Sequence, residues 1–302
     1  MRDFGHKIGD GPGTEWVPSE EVEVAHPEHT TTIAELLSDS HYDVFVRYGY
    51  AHSLVEGRLD EDYMFWKATY DKMQNRRIGV SHRDRFDALI ARFEEKGFEG
   101  QKPIAADPEY ELLDGSHRLA CSAVFDIRPK VILFQSTSHM YNREWFEKQN
   151  FSEEELQQID RTKTYLMEKF RTLPESSSVG VVWGVALEYW EEIVGTIPAP
   201  QLRRAFIRDF EKQIEDFIKE SYVGDGMKDK HIEQKAKRLS LDSSKVGLIA
   251  VEGEEEEIKE LKAKIRQQIS AKMNKYFFDN ILHIIDDKRT GESLLNKYSP
   301  KK

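Results

Sequence analysis

The stretch YELLDGSHRLACSAVF, residues 110–125, decides how this chain is read. Leu112-Leu113 ends a short apolar run, and Asp114-Gly115-Ser116-His117-Arg118 follows directly. A small-residue apolar series, Leu119, Ala120, Cys121 and Ala123, then begins. The pattern predicts a strand, a turn over glycine and a helix. The first N–H groups of a helix have no intrahelical partner, and the macrodipole adds partial positive charge, so such a junction suits an anion. Gly115 allows a tight backbone and close approach by a ligand. Ser116 can cap the helix or donate to a phosphate oxygen. Arg118 presents a fixed fork of donors that matches phosphate. His117 can donate to an oxyanion or carry a proton near neutral pH. Asp114 repels a phosphate unless it holds a cation, orients His117 or Arg118, or takes a proton from an attacking hydroxyl. Asp-Gly and a capping Ser are also ordinary turn chemistry. Three polar or charged side chains on one first turn exceed what a cap requires.

Around this junction the chain predicts a helix over 82–97 with Phe86, Leu89, Ile90 and Phe93 on one face and Gly97 as its stop. A strand over 102–106, a turn at 107–109, a return strand over 110–113, the helix 118–125 and a strand over 130–134 complete the region. Upstream, residues 60–77 read as a helix, 32–40 as a short one, and 42–57 as either strand or helix. Residues 1–30, rich in Gly, Pro, Glu and His, read as an irregular arm. Downstream, 152–172 is a charged helix broken by Pro174 and three serines. Strands over 179–184, 245–252 and 281–286 then alternate with helices over 186–197, 202–222, 230–239, 255–278 and 291–298. That alternation predicts a smaller, mostly parallel α/β sheet. The fold expected is α/β, an α+β N-terminal domain followed by that sheet. Its divisions are an arm at 1–30, a binding domain at 31–150, a helical linker at 151–175 and a C-terminal domain at 176–302.

The 302 residues carry a net charge of −11, unevenly spread. Residues 1–150 hold 18 Lys and Arg against 27 Asp and Glu, and residues 151–302 hold 26 against 28. A nucleic-acid binder needs a basic stripe to neutralise phosphates, and the sequence has none. Eight of the ten histidines lie in the first half, which places the chemistry there. The single cysteine, Cys121, excludes an internal disulfide. No apolar run reaches the ~20 residues of a membrane span, and the first residues have no apolar leader core. A cytoplasmic protein without membrane contact is expected.

The segment KPIAADPEYELLDGSHRLACSAVFDIRPKVILF, residues 102–134, resembles the core of the ParB/sulfiredoxin superfamily, and the likeness extends over about residues 74–135. The Asp-Gly-x-His-Arg form is most similar to that superfamily's free-serine-kinase branch. The resemblance implies a nucleotide-binding domain in which Gly115, Ser116, His117 and Arg118 hold phosphates. Asp114 would lie near Mg2+ or the transferred phosphoryl group, and the donor would be ATP, ADP or another nucleotide. It implies a kinase acting on a hydroxyl of an amino acid, polyol or sugar. The alternative is a nucleotide-binding switch or partner-binding module like the partition branch. The C-terminal domain would cover the acceptor or form a homodimer contact. Where sulfiredoxins carry a cysteine this sequence has Ser116, and Cys121 lies within the helix, so sulfinic-acid reduction is disfavoured. The glutamate that the serine kinases place upstream is missing. Asp84, His82 or Glu56 could stand in as base, and Arg76 and Arg77 could reach a phosphate. Tyr48, Tyr50 and His52 read either as core or as a pocket wall, and Asp286 and Asp287 as turn residues or magnesium ligands.

Overall fold

The structure is a computed structural model that describes residues 5–7, 16–18, 22–57, 60–74, 82–137, 140–273 and 280–299. The chain is a mixture of helices and sheets in two compact units, residues 1–170 and 171–301.

The first unit opens with a short antiparallel ribbon, β1 (Gly5–Lys7) and β2 (Trp16–Pro18). Its sheet comprises β3 (Val24–Thr30), β4 (Ile104–Ala106), β5 (Leu112–Asp114) and β6 (Lys130–Phe134), in the order β3-β6-β4-β5. β6 runs parallel to β4, and the two outer pairings are antiparallel. β3 occupies residues expected in the irregular arm. Its Pro and two His disguise a strand, and such residues are tolerated because β3 lies at a sheet edge.

The helices of this unit are α1 (Ile33–Leu36), α2 (Tyr42–Val55), α3 (Glu61–Gln74), α4 (His82–Lys96), α5 (Ser116–Phe125), α6 (Arg143–Lys148) and α7 (Glu153–Arg171). α2 is the central helix, packed on both α3 and α5 and buried at eleven of its positions. Gly49 lets it approach α3, since a Cβ there would lie 2.3 Å from the Trp66 ring. Leu119, Ala120, Cys121 and Ala123 of α5 are buried, and the small size of the two alanines and the cysteine permits close helix contact. α7 falls in the region expected to be a linker but belongs to this unit. Asp160 accepts a hydrogen bond from the Tyr42 hydroxyl at 2.6 Å, and Lys72 donates to Glu155 at 2.6 Å.

The second unit holds β7 (Ser177–Val182), β8 (Leu202–Asp209), β9 (Lys245–Glu252) and β10 (Leu282–Ile284), in the order β10-β7-β9-β8. Every pairing is antiparallel, which corrects the expected mostly parallel sheet. β7 and β9 are buried along nearly their whole length, so they read as continuous apolar runs, a pattern that parallel strands share. Its helices are α8 (Trp190–Thr196), α9 (Ile214–Ser221), α10 (Asp229–Asp242), α11 (Glu255–Ser270) and α12 (Lys288–Tyr298). The long helix expected over 202–222 is instead strand β8 followed by α9. β8 puts Ala205, Phe206 and Ile207 into the core, and that burial outweighs the helical spacing of its charges. Among the described residues no helix is long and apolar enough to cross a membrane.

Candidate functional site

β5 pairs with β4 through Asp114 opposite Ala105, and the chain then turns at Gly115 into α5. Gly115 has φ 108°, a conformation open to glycine. A Cβ there would also lie 3.0 Å from Ile104 Cγ1 and 3.1 Å from Arg118 Nη2. The Gly115 carbonyl accepts from Leu119 N–H at 2.9 Å, closing the first turn, and no side chain caps the helix. The predicted strand–turn–helix junction is therefore present, with α5 beginning at Ser116.

The side chains of the motif point three ways. Arg118 Nη2 donates to Asp114 Oδ2 at 3.0 Å, and its Nη1 donates to the Lys102 carbonyl at 3.3 Å. Both side chains of this pair are partly exposed. His117 turns toward α3 and α4. Its Nε2 lies 3.0 Å from the Tyr70 hydroxyl, and its ring meets Phe86 edge-on with centroids 4.6 Å apart. Tyr70 stacks on Tyr50 at 5.1 Å, and the Tyr50 hydroxyl donates to Asp87 Oδ1 at 2.7 Å. Burial first, and the Asp87 carboxylate second, raise the Tyr50 phenol above its ordinary pKa.

Ser116 is half-buried at the start of α5, and it favours the charged form of the Asp43 carboxylate in the first turn of α2. This carboxylate anchors a buried network that the sequence did not disclose. Arg47 Nη1 donates to Asp43 Oδ2 at 2.7 Å and to the Asp43 carbonyl at 2.8 Å. His41 Nδ1 lies 3.7 Å from Asp43 Oδ1, and His41 Nε2 lies 3.4 Å from Glu111 Oε2. Ser38 donates to Glu111 Oε1 at 2.7 Å. Burial alone would raise the pKa of Asp43, but Arg47, His41 and Ser116 outweigh it and hold the carboxyl well below its usual range. Burial opposes the charged form of His41 too, yet Asp43 and Glu111 prevail and raise its pKa. The side chains of Asp43, Arg47, His41 and Glu111 thus form one cluster of ionisable groups in the first unit. One signal was available: Asp43 and Arg47, spaced i, i+4, are charges inside an otherwise apolar run.

Other expected site residues lie elsewhere. Asp84 is exposed on the first turn of α4, two residues from Phe86. At 100° per residue that places it about 200° around the helix from the face that meets His117. Glu56 caps the end of α2 and lies 3.6 Å from His52. His82 opens α4, and Arg76 and Arg77 fall outside the described residues. Tyr50 is core. Tyr48 and His52 line a cleft of about 250 Å³ with Asp62, Trp66, Arg161 and Tyr165, and none of residues 114–118 lines it. Cys121 is fully buried and its thiol is raised by that burial. Asp287 caps α12 by accepting from Thr290 N–H at 2.8 Å. Among the described residues no three His, Cys, Asp or Glu side chains form a group able to hold a metal.

Comparison with protein-family models, with curated proteins and with solved structures gave no match to this chain.

Proposed function

We propose that the first unit binds a nucleotide at the β5–α5 junction and transfers its terminal phosphoryl group to a hydroxyl of a small molecule. The observation that carries this reading is the uncapped start of α5. It is led by a glycine in a left-handed conformation, and Arg118 stands beside it. Backbone donors at a helix N-terminus and a guanidinium together neutralise a polyphosphate, which is most of what phosphoryl transfer asks of a protein. The 3.0 Å pair with Asp114 holds the Arg118 fork in place before the anion arrives. Asp114 is the one motif carboxylate at this edge. A Mg2+ carried by a nucleotide needs one or two protein carboxylates beside the phosphates, and Asp114 can supply one. Bound there, the ion would neutralise developing charge. Asp114 can alternatively accept the proton of the attacking hydroxyl. His117 Nε2, tied to Tyr70, can donate to a phosphate oxygen only by leaving that partner. Asp84 has no part in this reading, because α4 turns it away.

The test is calorimetry with nucleoside di- and triphosphates, with and without Mg2+, followed by a screen of hydroxylated metabolites for acceptor-stimulated nucleotide consumption. Arg118→Ala should weaken binding about 10- to 100-fold, the equivalent of one charge-assisted hydrogen-bonded contact. Absence of heat with every nucleotide, or equal affinity in Arg118→Ala, refutes the assignment.

A further inference from the structure

β3 is irregular at His26-Pro27-Glu28-His29. Its register against β6 shifts between Val24 and His26 and again between His26 and His29. Residues three apart on a regular strand lie on opposite faces, whereas this bulge brings the two imidazoles together. His26 Nδ1 lies 3.1 Å from His29 Nδ1. The Pro27 carbonyl oxygen lies 3.1 Å from His26 Nδ1 and 2.9 Å from His29 Nδ1. Three potential donor atoms thus form a near-equilateral triangle.

We propose that this triangle is one face of a divalent transition-metal site, with His26 Nδ1, His29 Nδ1 and the Pro27 carbonyl oxygen as protein ligands. Bonds of ~2.1 Å at right angles place neighbouring ligands about 3.0 Å apart, whereas tetrahedral angles place them about 3.4 Å apart. The observed edges match the first case, and two imidazole nitrogens with one carbonyl oxygen suit Cu2+ or Ni2+, which favour tetragonal N and O ligands. Mg2+ is excluded by ligand type, since it takes oxygen donors. Pro27 is exposed, so water can fill the remaining positions. His29 is buried, and its Nε2 lies 3.0 Å from the hydroxyl of Tyr110, itself buried. With the Nε2 proton donated to Tyr110, His29 offers its Nδ1 lone pair to the metal, which is the outer partner that ligating histidines require. Without a cation or a shared proton, three lone pairs this close would repel one another. The site would tie edge strand β3 to the β4–β5 hairpin through Tyr110, and it is independent of the nucleotide reading.

The test uses the full chain stripped with chelator and titrated with Cu2+ alone. Binding is followed by calorimetry and by the nitrogen hyperfine pattern in electron paramagnetic resonance. One equivalent should bind with two imidazole nitrogens. His26 is only partly buried, so His26→Ala should keep its circular dichroism and lose at least about 10-fold in affinity. Tyr110→Phe keeps every ligand and should weaken binding about 10-fold by loosening His29. His52→Ala, on the far end of α2, should change nothing. A His26→Ala chain that binds Cu2+ as the parent does, or binding abolished by His52→Ala, overturns the proposal. Without the metal, the bulge would simply be edge-strand protection with a hydrogen-bonded histidine pair.

Discussion

Asp43→Ala tests whether the buried network behind α5 supports the first unit. Asp43 and Arg47 are both buried, and the guanidinium makes two hydrogen bonds to residue 43, at 2.7 and 2.8 Å. At an effective dielectric near 20, opposite charges this close attract by roughly 6 kcal/mol before desolvation is counted. Removing one partner leaves Arg47 buried and largely uncompensated, which costs about 3–5 kcal/mol. His41 loses a partner in the same step. With a urea dependence of ~2 kcal/mol per molar, the midpoint of the first unit should fall by about 1.5–2.5 M. Hydrogen exchange of peptides spanning 42–55, followed through a urea series, reads that midpoint. Peptides from β7 and β9 serve as the internal control, because the second unit should keep its midpoint. The double variant Asp43→Leu/Arg47→Met removes both charges and should recover most of the loss, since apolar replacement of a buried pair is often neutral. A fall below about 0.5 M, or equal falls in both units, would show that the network carries little of the stability.

Two further outcomes follow from the same region. The folded pKa of His41 is raised, so the stability it adds is complete below about pH 6.5 and is lost as pH rises through the higher folded value. His41→Gln should therefore flatten the alkaline decline in the melting temperature of the first unit. An unchanged slope would mean that the ring is neutral when folded. Asp43 acts in the opposite sense, its contribution being present above about pH 4 and lost only in stronger acid. Gly115→Ala must adopt φ 108° and press on Ile104, which should cost roughly 1–3 kcal/mol by denaturant unfolding. A change under about 0.5 kcal/mol would show that the turn relaxes freely.

What the sequence disclosed was local. The glycine turn and the small-residue start of α5 are set by neighbours a few positions apart, and the structure shows both. α2 stayed open between strand and helix because it is buried almost all round, which erases the 3.6-residue alternation that marks a surface helix. β3 has the composition of a loop, and the strand character of β8 comes from burial of its side chains in the second unit's core rather than from local spacing. The buried network was invisible for a different reason. Ser38 meets Glu111 across 73 positions, and His41 faces the same carboxylate. No window of sequence contains such pairs.

The geometry of a helix also limits what the motif can do. Successive side chains turn by 100°, so Ser116, His117 and Arg118 cannot face one ligand together. The structure resolves this by dividing the labour. Ser116 helps keep the buried Asp43 carboxylate charged, His117 joins the aromatic stack through Tyr70, and Arg118 alone turns back to Asp114, four residues away and on the same side. An anion at this junction would therefore be held by backbone N–H groups and one guanidinium. Its specificity would come from how rigidly the rest of the turn is pinned. That is why a substitution at Asp43, a buried carboxylate whose charge Ser116 helps to hold, is expected to loosen nucleotide binding as well as the fold.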